Sequence, residues 1–317
     1  GYHHCSIDDF LSDKELLSEL KSRIKAEQDK GNTVGFIGGP PCPDFSVGGK
    51  NKGKERENGR LTESYIDLIG LCKPDFFMFE NVKGLWRTKR HREFYEAMKT
   101  KLESNNYSLS DRLTNCIEFG SPQDRDRIIL FGISKKRMPK NGAEKELSDI
   151  ANWNSVLKYN REEVFKYTWP TTCSFSQNEQ IENPNEQYED LTVQYWFDKN
   201  DVDKHPNSAA HFQPRAGLAK FEIIDEGDVS KKSYKRLHRW RYSPTAAYGN
   251  NEVHLHPYIP RRLSAAEALA IQSLPKEFEL PSDMSLTNMF KTIGNGVPFE
   301  MSKGIAILVK ESLEKVL

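Results

Sequence analysis

The sequence predicts an α/β domain on a mainly parallel sheet, followed by an irregular polar module and a helical return. Three observations carry this. Short apolar runs alternate with helical patterns as far as Ile133, the order that builds parallel sheets. Residues 141–256 turn polar, rich in Asn, Glu, Lys and Tyr, and lose periodicity. Regular pattern then resumes at "RRLSAAEALAIQSLP", residues 261–275.

The elements follow in order. "TVGFIGG" (33–39) is a short apolar run ending in glycines, the pattern of a buried strand entering a functional loop. "LTESYIDLIGLC" places Leu61, Tyr65, Leu68, Ile69 and Cys72 at helical spacing. "KPDFFMFENV" predicts a second strand over Asp75–Phe79 with a polar tip at Glu80 and Asn81, so that Cys42 and Glu80 fall just past strand ends on one rim. Residues 90–104 read as a helix, "NYSLSDRLTNC" as a strand and "RIILFGI" as another. Ser264 with Glu267 three residues on makes a capping box, and a last helix starts near Val297. The expected domains are 1–140, 141–284 and a return over 285–317.

Composition narrows the function classes. The chain has 317 residues with 46 basic and 46 acidic side chains, so no global field recruits a polyanion and any nucleic-acid contact must be local. Five cysteines (Cys5, Cys42, Cys72, Cys116 and Cys173), without a C-x-x-C pair, argue against a disulfide framework or a structural zinc and for a reducing compartment. No metal site is expected. No apolar run approaches 18 residues, so no membrane span is expected.

"GGPPCPDFSVGGKNKGKERENG" (38–59) sets Cys42 between prolines at the mouth of a glycine- and lysine-rich loop. A reactive cysteine works as its thiolate, and a free thiol has a pKa of about 8.5 that positive surroundings lower. Lys50, Lys52, Lys54, Arg125 and Arg127 could supply that field. The bland alternative is a buried strand-end cysteine. "SPQDRDR" weighs against it by placing Gln123, Arg125 and Arg127 at alternate positions, which a strand would project together. A thiol, a carboxylic acid and guanidiniums on one rim suit a planar, polar, electron-poor ring.

"GGPPCPDFS", "FENV", "SPQDRDRIILFGI", "SPTAAYG", "RRLSAAEALAIQSLP" and "IGNGVP" occur in this order from about Phe36 to the carboxyl terminus. In these motifs the chain resembles the DNA (cytosine-5)-methyltransferases. The resemblance implies a Rossmann-like, S-adenosylmethionine-dependent methyltransferase sheet (1–140 and 285–317) with a smaller irregular target-recognition domain (141–284). Cys42, Glu80, Arg125 and Arg127 would be catalytic. Cys42 would add to carbon 6 of a flipped-out cytosine, Glu80 would hold ring nitrogen 3 and the exocyclic amine, Arg127 oxygen 2, and Arg125 the loop or a phosphate. Ser6, Ile7, Pro41, Leu61 and Asn295 would line the S-adenosylmethionine site. Double-stranded DNA would meet Ser46, Gly48, Lys50, Lys52, Gln123, Arg239, Arg241 and Thr245. The stretch "KKSYKRLHRWRYSPTAAYG" (231–249) interleaves basic and aromatic residues as a DNA contact would.

The resemblance further implies a bacterial restriction-modification enzyme of the cytoplasm and nucleoid, sharing its site with a cognate endonuclease but needing no stable complex with it. An RNA-methylating branch, a non-catalytic DNA-binding relative and one subunit of a split enzyme remain as alternatives. The RNA branch is disfavoured by Ser46, where a threonine would be expected. The family's F-x-G-x-G cofactor loop is absent, and too few residues precede Gly38 to hold it. Roughly 60 further residues upstream, or a partner chain, are therefore expected to supply it, from a βαβ unit of at least ~30 residues plus flanks.

Overall fold

The structure, a computed structural model, describes residues 4–40, 55–87, 89–138, 146–177, 179–184, 187–214, 218–246, 248 and 253–316. In chain order these fold as α1 (Ile7–Ser12), α2 (Lys14–Asp29), β1 (Gly35–Gly38), α3 (Glu55–Cys72), β2 (Phe76–Val82), α4 (Gly84–Arg87), α5 (Lys89–Ser104) and β3 (Tyr107–Asn115). A 3-10 turn, Cys116–Phe119, leads to β4 (Gln123–Asp124) and β5 (Asp126–Ser134). Then come α6 (Leu147–Ile150), α7 (Arg161–Lys166), α8 (Val193–Lys199), α9 (Leu218–Ile223), β6 (Lys235–Arg236), β7 (Ser243–Pro244) and β8 (His254–Leu255). The chain closes with α10 (Ala265–Ile271), α11 (Leu286–Asn295) and α12 (Phe299–Glu314).

Two compact units result. The first comprises Gly1–Thr114, Asp126–Ser155 and Ile307–Leu317, and the second Asn115–Arg125 and Val156–Ala306. These units are drawn differently from the functional boundaries expected at 140 and 284. Residues 146–155 stay with the first unit, where Trp153 Nε1 donates to Ser110 Oγ at 2.9 Å. Residues 285–306 fall in the second, where Met289, Phe290 and Ile293 of α11 pack with Leu269 of α10.

In the first unit the described strands form one sheet in the order β1-β2-β5-β3. β1 runs parallel to β2, with Gly38 opposite Phe79, and β5 runs antiparallel to β2. The sheet described is therefore mixed rather than mainly parallel. The reason lies in the connection: β5 is reached from β3 through the 3-10 turn and β4, without the helical crossover that a parallel return requires. β5 is nearly continuously buried and β2 alternates, as expected for strands covered by helices. Phe77, Phe79, Ile128 and Leu130 pack with Ile66 and Ile69 of α3 and Met98 and Leu102 of α5. Each such burial contributes about 1.5–3 kcal/mol. Asp75 secures the strand entrances, accepting from Val34 N at 2.8 Å and pairing with Arg137 at 2.8 Å.

The second unit has a polar interior as well as an apolar one. Val193, Trp196, Phe197, Leu237, Leu263 and Ala266 share one cluster. Glu267 of α10 is buried, closes the capping box with Ser264 and takes Arg261 bidentate at 2.6 and 2.9 Å. Glu226 is likewise buried and receives Arg239 Nε at 2.9 Å and Nη2 at 2.7 Å. No described helix is long and apolar enough to cross a membrane.

Two buried histidines make this unit acid-sensitive. Desolvation holds His254 down to about 3 and His256 to about 4, against about 6.5 for an exposed ring. As pH falls below about 6.5 the unfolded chain takes up protons there, whereas the folded chain does so only near the lowered values. The stability is therefore complete above that pH and is lost from about 6.5 down to about 4 for His256 and about 3 for His254, at about 1.4 kcal/mol per pH unit for each ring. Urea unfolding should show a lower midpoint at pH 5 than at pH 7. His254→Phe should shrink the difference, because both ring nitrogens of His254 are buried without a hydrogen-bond partner.

Candidate active site

β1 ends at Gly38, and Gly39 and Pro40 lead onward beside β2. Successive residues of β2 point to opposite faces. Asn81 is buried and uses its amide twice: Nδ2 donates to Pro40 O at 3.3 Å, and Oδ1 accepts from Val82 N at 2.8 Å. The chain is thus anchored two residues before Cys42. Glu80 faces the other way and is partly exposed. Its Oε1 lies 2.6 Å from Arg127 Nε. That contact lies off the N–H axis, leaving Nε without an aligned acceptor, so charge rather than a linear hydrogen bond holds it. Arg127 Nη1 donates to Asp126 O at 2.8 Å.

The register explains the pair. Val82 stands opposite Arg127 and Glu80 opposite Ile129, so Glu80 and Arg127 are diagonal neighbours on one face. Glu80 therefore lies inside β2 rather than past its end, because β5 continues the pairing as far as Arg127. Gly39 is required here: a Cβ at that position would stand 2.8 Å from Glu80 Oε2. The missing side chain lets the backbone at Gly39 run against the carboxylate.

Pro41, Cys42, Ser46, Gly48, Lys50 and Lys52 lie outside the described residues. Of the expected cofactor residues, Ser6 is the N-cap of α1, its Oγ accepting from Asp8 N at 3.3 Å while Asp9 caps back onto Ser6 N at 2.7 Å. Its hydroxyl is committed to the helix. Ile7 is half-buried against Phe36 and the core, and Leu61 is half-buried on α3. Asn295 is exposed at the end of α11, in the second unit.

The Q-x-R-x-R run does not form one continuous face. It divides at Arg125 into β4 and β5, and the division between the units falls there. Gln123 is fully buried: Oε1 accepts from Ala246 N at 3.0 Å and Nε2 donates to Gln272 Oε1 at 3.2 Å. Arg125 is 1% exposed and donates to Ala246 O at 3.1 Å and Gly294 O at 2.9 Å. Neither side chain is presented for DNA or substrate. They tie residue 246 of "SPTAAYG" to residue 294 of "IGNGVP". Gly294 allows this approach, since a Cβ there would meet Tyr248 N at 2.9 Å.

Among the other residues expected to meet DNA, Arg239 is turned inward. It is 4% exposed, saturated by Glu226 and stacked 4.4 Å over Tyr258. Arg236 is also buried, donating to Ile224 O at 2.7 Å and lying 3.9 Å over Phe175. The basic-aromatic alternation of 231–249 thus partly encodes an internal framework. Arg241 remains half-buried, and Thr245 spends its hydroxyl on Asp124 O at 2.7 Å. Asp124 and Glu226, which the sequence reading passed over, are fixed by these contacts. Asp124 stands beside Arg125 in "SPQDRDR", whereas Glu226 lies in the acidic run "DEGD" with no local signal.

The model of the C-5 cytosine-specific DNA methylase family matches residues 17–311. The Type II methyltransferase M.NmeDI of Neisseria meningitidis serogroup C is 57% identical over 314 residues, covering 99% of this chain and 72% of that protein. M.FnuDI of Fusobacterium nucleatum is 26% identical over 311 residues, covering 95% and 82%. Among solved structures, a candidate DNA modification methyltransferase encoded within an E. coli prophage superposes with a TM-score of 0.56 at 20% identity, covering 94% of this chain and 84% of that one. The mixed α/β arrangement of the first unit is accordingly the S-adenosylmethionine-dependent methyltransferase fold. The chain belongs to the C-5 cytosine-specific DNA methylase family and is a DNA (cytosine-5-)-methyltransferase.

Proposed function

We propose that this chain methylates carbon 5 of a flipped-out cytosine at a specific duplex site, through a covalent adduct at Cys42, as the modification enzyme of a bacterial restriction-modification system. It would work on the nucleoid in the cytoplasm. The observation that carries the reading is the Glu80–Arg127 pair facing the backbone of Gly39, three residues before Cys42. An electron-poor ring needs a nucleophile and a polar clamp on one edge, and these residues supply both types of group.

The target carbon is buried in a duplex, so the base must leave the stack to reach the pocket. Cys42 would add as thiolate to carbon 6, and the displaced ring electrons would make carbon 5 nucleophilic. Glu80 would hold nitrogen 3 and the exocyclic amine by charge-assisted bonds, with Arg127 steadying the carboxylate and contacting oxygen 2. Loss of the carbon 5 proton then restores the double bond and expels Cys42. S-adenosylmethionine, when bound, supplies an activated methyl group. The described residues fit its adenine end: Ile7 and Leu61 offer half-buried apolar side chains on α1 and α3, helices that pack on each other.

Ser46, Gly48, Lys50 and Lys52 would meet the DNA backbone, while residues 141–284 would carry target recognition. Gln123 and Arg125 would act as positioning residues through Ala246 and Gly294. Sequencing of DNA from cells expressing the full gene, read for 5-methylcytosine at single-base resolution, should show one methylated sequence context. Unmethylated cytosine in every context would leave a non-catalytic DNA-binding role instead.

A further inference from the structure

The second unit contains a recess of about 170 Å³ that the reaction does not use. Its lining includes the polar Asp124, His238, Arg241 and Tyr242 and the apolar Leu237 and Pro244. A water takes up about 30 Å³ of liquid, so the recess has room for several waters or for the edge of a planar group. Two segments distant in sequence build it. Parallel pairing of β4 with β7 sets Asp124 opposite Pro244. Thr245 Oγ1 donates to Asp124 O at 2.7 Å, and Asn115 Nδ2 donates to Asp124 Oδ1 at 2.7 Å. Thr245 thus fixes the main chain of Asp124 and Asn115 its carboxylate.

The segment 238–242 is also held in place. His238 Nδ1 accepts from Trp240 N at 3.0 Å, so the ring proton sits on Nε2. Glu226 lies 3.8 Å from the same Nδ1, but Arg239 already neutralises it and burial favours the uncharged ring. Arg241 is oriented by Arg241 N donating to His238 O at 3.2 Å. Its guanidinium contacts Pro170 O at 3.4 Å and the Tyr242 side chain, whose ring centroid lies 6.0 Å away. Tyr242 is wedged by Trp169 and Phe165, with ring centroids 5.1 and 5.8 Å away.

The recess therefore carries one cation, Arg241, and one anion, Asp124, in its lining. A phosphate would be repelled by Asp124. A base-pair edge is a better match, since it offers acceptors and a donor side by side without charge. A guanidinium fork needs two adjacent acceptors, which in the major groove only guanine presents, at N7 and O6; the paired cytosine adds an N4 donor suited to a carboxylate. We propose that this recess reads one G·C pair of the recognition site, Arg241 taking guanine N7 and O6 and Asp124 accepting from cytosine N4. The proposal rests on the DNA-methylating reading above and adds to it the element that sets specificity.

The test is methylation of a duplex library, randomised around the parent site, by the full-length enzyme with S-adenosylmethionine and single-base readout. Arg241→Gln removes the fork. Asp124→Asn keeps shape and an oxygen for Asn115 while turning one acceptor into a donor. Both should relax discrimination at the same single G·C position by roughly 5- to 150-fold, the range for one bidentate base contact, with the other positions unchanged. Uniform loss of rate with preferences intact would overturn the proposal, as would relaxation at two different positions. A parent that methylates no sequence sinks the underlying reading and this proposal with it. A parent that keeps its site while both variants keep it too sinks the proposal alone.

Discussion

Duplex DNA carrying 5-fluorocytosine at the methylation position is expected to form a stable covalent adduct with this chain when S-adenosylmethionine is present, and Cys42→Ser is expected to form none. Release of the nucleophile requires a proton to leave carbon 5. Fluorine cannot leave as a cation, so the S–C6 bond persists once the methyl group has been delivered. A hydroxyl in place of the thiol has a far higher pKa and supplies almost no anion at neutral pH. A denaturing gel and intact-mass measurement read the adduct directly. Methylation by Cys42→Ser at the parent rate would sink the covalent mechanism.

The second large effect concerns Glu80. Glu80→Gln should lower methyl transfer by at least roughly 10²-fold, the contribution of a positioned acid or base. The amide keeps the size of the side chain and its place beside Gly39. Its N–H can donate to ring nitrogen 3 but cannot transfer a proton to it, and the amide gives up the charge that Arg127 meets at 2.6 Å. Affinity for duplex DNA should hardly change, since in the proposed mechanism the only part of the DNA that Glu80 meets is the extruded ring. Single-turnover methylation and a binding titration together decide the matter, and an equal fall in rate and affinity would assign Glu80 a structural role.

Much of the fold was legible because the first unit obeys simple periodicities. The helix α5 spans Lys89–Ser104 where residues 90–104 were expected, and the strand at "RIILFGI" is β5. The capping box at Ser264 and Glu267 formed as written. What the sequence concealed was direction and partnership. The antiparallel entry of β5 depends on a connection with no periodic signal. Alternate spacing of Gln123, Arg125 and Arg127 suggested one face, yet Arg125 lies between β4 and β5 and binds two carbonyls more than 100 residues away in sequence. Burial likewise separates Arg239 from Arg241, because Glu226 stands within reach of the first. Local spacing cannot reveal a partner supplied by another segment.

The chain crosses between its two units after Thr114, Arg125, Ser155 and Ala306, and this shapes how such enzymes can exchange specificities. A recombination that replaced residues 156–306 as one cassette would leave residues 115–125 behind. Gln123 and Arg125 would then meet foreign chain at the positions of Ala246 and Gly294. A guanidinium at 1% exposure that loses its carbonyls costs several kcal/mol, as uncompensated buried charges do. Grafted specificities should thus be inherited in pairs of segments, the short one travelling with the long.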